Sequence, residues 1–150
     1  MKCKMCDAPL KYEEGSGTAT CEFCGSIQTI PKVREQRIAD LYERAGQYRY
    51  NNEFDKALAL YEEIIKEDIT DAEAYWSVIL CKYGIEYVEE DGSGKRVPTI
   101  NRAQYTSIYE DAYYDAAIKY GDEEQVALYK REAEEINRIQ KGILLISKTA

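Results

Sequence analysis

The chain has 150 residues, 45% hydrophobic and 32% charged, with a formal net charge of −8 and no histidine. That composition describes one ordinary folded domain or two small ones, and the missing imidazole excludes Ser-His and Cys-His nucleophilic chemistry. No apolar run is long enough to span a bilayer, the most aliphatic being Ile143-Leu144-Leu145-Ile146. The acidity is uneven. Residues 1–36 carry five Lys/Arg against five Asp/Glu, so the whole surplus sits on residues 37–150. Such a body repels phosphate backbones and disfavours a nucleic-acid partner.

The first element is built on cysteine. Cys3-Lys4-Met5-Cys6 and Cys21-Glu22-Phe23-Cys24 are two Cys-x-x-Cys hooks fourteen residues apart. Together they offer four soft sulfur ligands and no open position, the pattern of one structural Zn²⁺ rather than a catalytic one. Disulfides fit poorly, because Met1-Lys2 leads straight into the ligands with no secretory signal. A redox Cys-x-x-Cys would need a βαβ frame, and none is visible. A cytoplasmic, reducing location is expected, since zinc-binding thiolates must stay unoxidised. Short strands are expected at Leu10–Glu13, Thr18–Thr20 and Ser26–Ile30, around the turn-rich Glu14–Gly17. The reading is a small β zinc ribbon over residues 1–31, too small to fold without its metal.

Helical periodicity follows Pro31 and defines a second domain, residues 32–150. Ile38, Leu41, Tyr42, Ala45 and Tyr48 share one face, Asn51-Asn52 breaks the pattern, and Phe54, Ala57, Leu58, Tyr61, Ile64 and Ile65 share the next. Thr70-Asp71-Ala72-Glu73 reads as a capping box for a third helix, with Trp76, Ile79, Leu80 and Tyr83 inward and Gly84 at its end. A β-hairpin insertion is expected over about 85–98, around Glu89–Gly94. Helical signal returns over Tyr105–Tyr120, with Ile108, Tyr109, Ala112, Tyr113, Ala116 and Ala117 inward. A long last helix is expected over about 122–147, with Val126, Tyr129, Ala133, Ile136, Gln140 and Ile143 on one side. The fold class is therefore mainly α.

The stretch Ile38–Ile69 resembles a tetratricopeptide repeat (TPR), an antiparallel helix pair of about 34 residues. Leu41, Ala45, Tyr48, Ala57 and Tyr61 match its large, small and aromatic positions, whereas Arg44 replaces a usual leucine and Ile69 a frequent proline. A plain helical hairpin is the alternative. The whole chain resembles the amino-terminal region of bacterial proteins that join a zinc ribbon, TPR-like helices and a TIR (Toll/interleukin-1 receptor) domain. The resemblance rests most on Cys21-Glu22-Phe23-Cys24-Gly25-Ser26, Asn52–Ala57, Ala72–Trp76, Lys82–Glu89 and Ile139–Lys148. In such proteins the enzymatic part is the TIR domain, an NAD⁺ hydrolase of defence or signalling, and its catalytic residues have no counterparts in these 150 positions.

The resemblance implies a non-catalytic interaction or regulatory module whose partner is a protein, a peptide or a second copy of itself. TPR hairpins bind along the first helix of each pair, which makes Tyr42, Arg49, Tyr50, Trp76 and Tyr83 candidate contacts. Trp76 and Tyr83 share the apolar stripe and read as core ahead of contact. The alternative function is nucleic-acid binding by the ribbon through Lys2, Lys4 and Lys11. Cys81, the fifth cysteine, lies beside an apolar stripe and reads as a packed small hydrophobe.

Overall fold

The computed structural model describes residues 1–33 and 35–149, with side chains described as far as Ile143 in the last helix. The ribbon is a single hairpin. Strands β1 (Thr18–Thr20) and β2 (Ile27–Thr29) pair antiparallel with Ala19 opposite Gln28. The strand expected over Leu10–Glu13 does not form. Pro9 has no N–H to start a ladder there, and the Leu10 N–H donates to the Met1 carbonyl at 2.9 Å, tying the chain back to the first hook. Lys11, Tyr12 and Glu13 are left exposed.

Helices α1 (Gln36–Tyr50) and α2 (Phe54–Glu67) form an antiparallel hairpin. Asn52 turns the corner at φ +62°, a conformation that asparagine tolerates better than most side chains. The apolar spacing read from the sequence sets its core: Leu41, Ala45, Phe54, Ala57, Tyr61 and Ile64 are all buried. They close on Ala74, Val78 and Cys81, one face of α3 (Ala72–Lys82).

The opposite face of α3 belongs to a second cluster. Ala72, Trp76, Ile79, Leu80 and Tyr83 pack with β3 (Ile85–Glu89), α4 (Ala112–Tyr120), α5 (Glu123–Thr149) and the ribbon residues Cys3, Met5, Leu10, Cys21 and Ile30. A helix buried on both faces is the central post of the fold. Its cap differs from the expected box. The Asp71 carboxylate accepts the Ala74 N–H at 3.2 Å, while the Thr70 hydroxyl turns to Asp68 at 2.6 Å. Glu73 is thereby one position early for reaching back to the cap, and is buried instead.

Gly84 follows α3 at φ +60°, with the Arg102 backbone and side chain so close that a Cβ would collide. β3 then pairs antiparallel with β4 (Arg96–Ile100), Tyr87 opposite Pro98. The helix expected to begin near Tyr105 begins at Ala112. Ser107 and Asp111 each accept a backbone N–H, from Tyr109 and Tyr113, and divide the stretch into a short 3-10 turn (Ile108–Glu110) and α4. The inward set shifts accordingly. Tyr109 and Ala112 are exposed, and Tyr114 joins Ala117 inside.

Among the described residues no helix is long and apolar enough to cross a membrane. The chain is mainly α, with two small antiparallel β-hairpins.

Candidate metal centre

Both hooks adopt the same local turn. The Asp7 N–H donates to the Cys3 carbonyl at 3.0 Å and the Gly25 N–H to the Cys21 carbonyl at 2.9 Å, with φ of +66° and +76°. Each turn folds backbone amides over its leading sulfur. Met5 and Cys6 N–H reach Cys3 Sγ at 3.4 Å, and Phe23 and Cys24 N–H reach Cys21 Sγ at 3.4 and 3.5 Å. The β1–β2 hairpin adds Gln28, whose amide donates to Cys3 Sγ at 3.1 Å.

The four sulfurs converge, all within 4.8 Å of one another. Cys3 and Cys24 Sγ lie 3.8 Å apart, Cys6 and Cys21 Sγ 3.7 Å. A tetrahedral ion with metal–sulfur bonds of about 2.3 Å requires sulfurs about 3.8 Å apart, whereas a disulfide requires about 2.05 Å. The donor set therefore fits one tetrahedral metal ion. Electrostatics agree. Burial pushes the Cys3 thiol up, but the donated N–H groups and the Gln28 amide outweigh it and bring the thiol down to about 6. Burial and the neighbouring sulfurs push Cys6 up to about 12. Four thiolates can share this space only around a cation.

The first hook is also clamped to the helical body. Lys4 lies between two ligands. Its ammonium meets Glu73 Oε1 and Thr29 Oγ1, both at 3.0 Å, and its N–H donates to Gln28 Oε1 at 2.9 Å. Glu73, 3% exposed, also accepts from Thr29 Oγ1 at 3.0 Å and from the Tyr129 hydroxyl at 3.4 Å. The second side of the seam is α5. Gln125 Nε2 donates to the Ile30 carbonyl at 3.2 Å, and Lys32 pairs with Asp122 at 2.5 Å.

Glu132 of α5 points at the same cluster. Its Oε1 accepts from Tyr87 Oη at 3.5 Å, while Oε2 and the nearby Trp76 Nε1 are sealed from solvent without a hydrogen-bond partner. Burial, only partly offset by Lys4 and reinforced by Glu73, pushes this carboxyl up from 4.5 to about 7. The fold thus prefers the protonated form. Its contribution is full below pH 4.5 and is lost as pH rises through 7. Glu132→Gln is expected to raise stability by about 1 kcal/mol near pH 5.5, where the loss has begun, and by about 3 kcal/mol at pH 8.5, where it is complete. Urea unfolding of the metal-loaded protein at the two pH values measures this. An equal difference at both would reject the assignment.

Four of the five residues expected to contact a partner are buried or half-buried. Trp76 and Tyr83 are 0% and 1% exposed, and the Trp76 ring packs 5.1 Å from that of Tyr129. Tyr42 is half-buried against Tyr61, its ring centroid 6.1 Å away and its hydroxyl enclosed. Arg49, read from the sequence as a surface contact, is 4% exposed and donates to the Lys4 carbonyl inside the first hook. Tyr50 alone of the five remains exposed. The large apolar side chains that do face solvent include Tyr12, Phe23, Ile27, Ile69 and Tyr105. Cys81 is fully buried, and burial pushes its thiol up to about 12. Comparison with family models, with curated proteins and with solved structures returned no match.

Proposed function

We propose that this chain is a non-catalytic interaction and regulatory module, a Zn²⁺-structured ribbon clamped to TPR-like helices. In this reading it is the sensing or oligomerising front end of a bacterial TIR-domain protein. Zn²⁺ is favoured by a closed, all-sulfur tetrahedral set, and metal analysis of the purified chain should find one zinc per chain. A reducing, cytoplasmic setting keeps those thiolates available.

The observation that carries the interaction reading is the outward side of the ribbon. Its other side is taken by α3 and α5, yet Phe23 is 71% exposed and Ile27 53%. Large apolar groups held in water on a metal-stiffened knuckle are recognition anchors. Phe23→Glu is expected to keep the zinc content and melting temperature while abolishing both concentration-dependent self-association in the ultracentrifuge and capture of a protein partner. Undiminished association by both measures would remove this face from consideration.

The nucleic-acid reading loses its central residue. Lys4 is committed to Glu73, and Lys2 and Lys11 lie 3.9 and 3.7 Å from Asp7 and Glu22.

A further inference from the structure

Between the first hook, the end of α1 and the β3–β4 hairpin lies an open cleft of about 350 Å³, bordered by Met5, Arg49, Tyr50, Glu86, Val88 and Arg96. Its size falls at the lower end of small-molecule sites, roughly 300–1,000 Å³.

The charges in it are unbalanced. Arg49 is 96% buried by its 4% exposure, yet among the described residues no carboxylate lies within 4.0 Å of it, and its one hydrogen bond goes to a neutral carbonyl. A guanidinium carries five N–H donors. Burying one without a counter-ion costs several kcal/mol. Arg96, on β4, likewise forms no ion pair among the described residues. Its cross-strand neighbour Glu89 is turned to the Gly94 N–H at 3.0 Å. The one carboxylate of the lining, Glu86, is held by Asn52 Nδ2 at 2.8 Å. In a chain of net charge −8, two uncompensated arginines border a single cleft. The buried Met5 and the half-buried Val88 supply apolar wall, and the exposed Tyr50 ring stands at its edge.

We propose that this cleft binds a small organic anion, its carboxylate or phosphate head between Arg49 and Arg96 and its apolar body against Tyr50 and Val88. The chemistry is that of a planar or tetrahedral oxyanion met by guanidinium forks. The site is independent of the partner-binding face on the ribbon, so either assignment can fail alone.

Titration of the zinc-loaded, ¹⁵N-labelled full chain with phenyl phosphate, benzoate and inorganic phosphate tests it. Saturable shifts at Arg49, Tyr50, Val88 and Arg96 are expected with phenyl phosphate or benzoate, and which of the two binds tighter identifies the head group. Arg96→Gln, on a partly exposed strand position, should weaken binding about tenfold with no change in melting temperature, whereas the exposed Lys66→Gln should leave it intact. No saturation by any probe up to about 10 mM would overturn the proposal. So would equal loss in the two variants, which would mark a general charge effect. Inorganic phosphate binding as tightly as phenyl phosphate would remove the apolar half of the assignment.

Discussion

Glu73→Ala is expected to cost about 3–5 kcal/mol, the penalty of leaving a buried ammonium without its partner. The carboxylate is 3% exposed and gathers Lys4, Thr29 and Tyr129, one group each from the first hook, β2 and α5. Its loss removes their shared acceptor and leaves the Lys4 ammonium only the neutral Thr29 hydroxyl. A double-mutant cycle with Lys4→Met isolates the pair. The double variant should lose clearly less than the sum of the singles, because the stranded charge is then gone. Strict additivity in urea unfolding would show that Lys4 and Glu73 do not depend on each other.

Removal of the metal is expected to do more. Structural Zn²⁺ sites in small domains contribute about 10–16 kcal/mol of apparent folding free energy, as much as the whole stability of an ordinary domain, about 5–15 kcal/mol. The ribbon should open first. It should not open alone, because Cys3, Met5, Leu10, Cys21 and Ile30 belong to the same apolar cluster as Trp76, Tyr129, Ala133 and Ile136. Hydrogen exchange with and without chelator should therefore show protection lost across residues 1–33 and also along α5, with α1 and α2 the last to yield because their contacts form a separate cluster. Loss confined to the ribbon would make it an independent bead on the helices.

The local chemistry of this protein was legible in its sequence. Cys-x-x-Cys spacing picks out the four cysteines whose sulfurs converge, because a hook able to hold one ion must fold within four residues. The three- and four-residue steps of Leu41, Ala45, Ala57 and Tyr61 locate the first helical pair because a helix repeats its face at that interval. What stayed hidden was the seam. Lys4 meets Glu73 across 69 positions and Arg49 meets Lys4 across 45. Polar contacts between separate elements leave no periodic trace. Glu73 sits where a capping residue would sit, and Arg49 follows an aromatic on a helix end. Each looked like a surface residue because charge usually is. Only the packing of the ribbon on α3 turns both inward. The same limit explains Tyr109 and Tyr114: the apolar spacing extends through Ser107 and Asp111, but their side chains compete for the backbone amides and reset the helix.

Helix α5 is stitched to its surroundings at three levels. Gln125 holds the ribbon at Ile30, Glu132 meets Tyr87 of the hairpin, and Gln140 Nε2 donates to the carbonyls of Gln104 and Thr106 at 2.6 and 2.8 Å. The stitches come seven and eight positions apart, close to two helical turns, so all three fall on one face of the rod, within about 80° of one another. A rod pinned at three levels resists both roll and slide. Its azimuth beyond Gln140, out to Thr149, is inherited from the ribbon, the β3–β4 hairpin and the turn before α4 together. One residue inserted just after that last stitch would swing anything carried farther along by about 100° and advance it by about 1.5 Å.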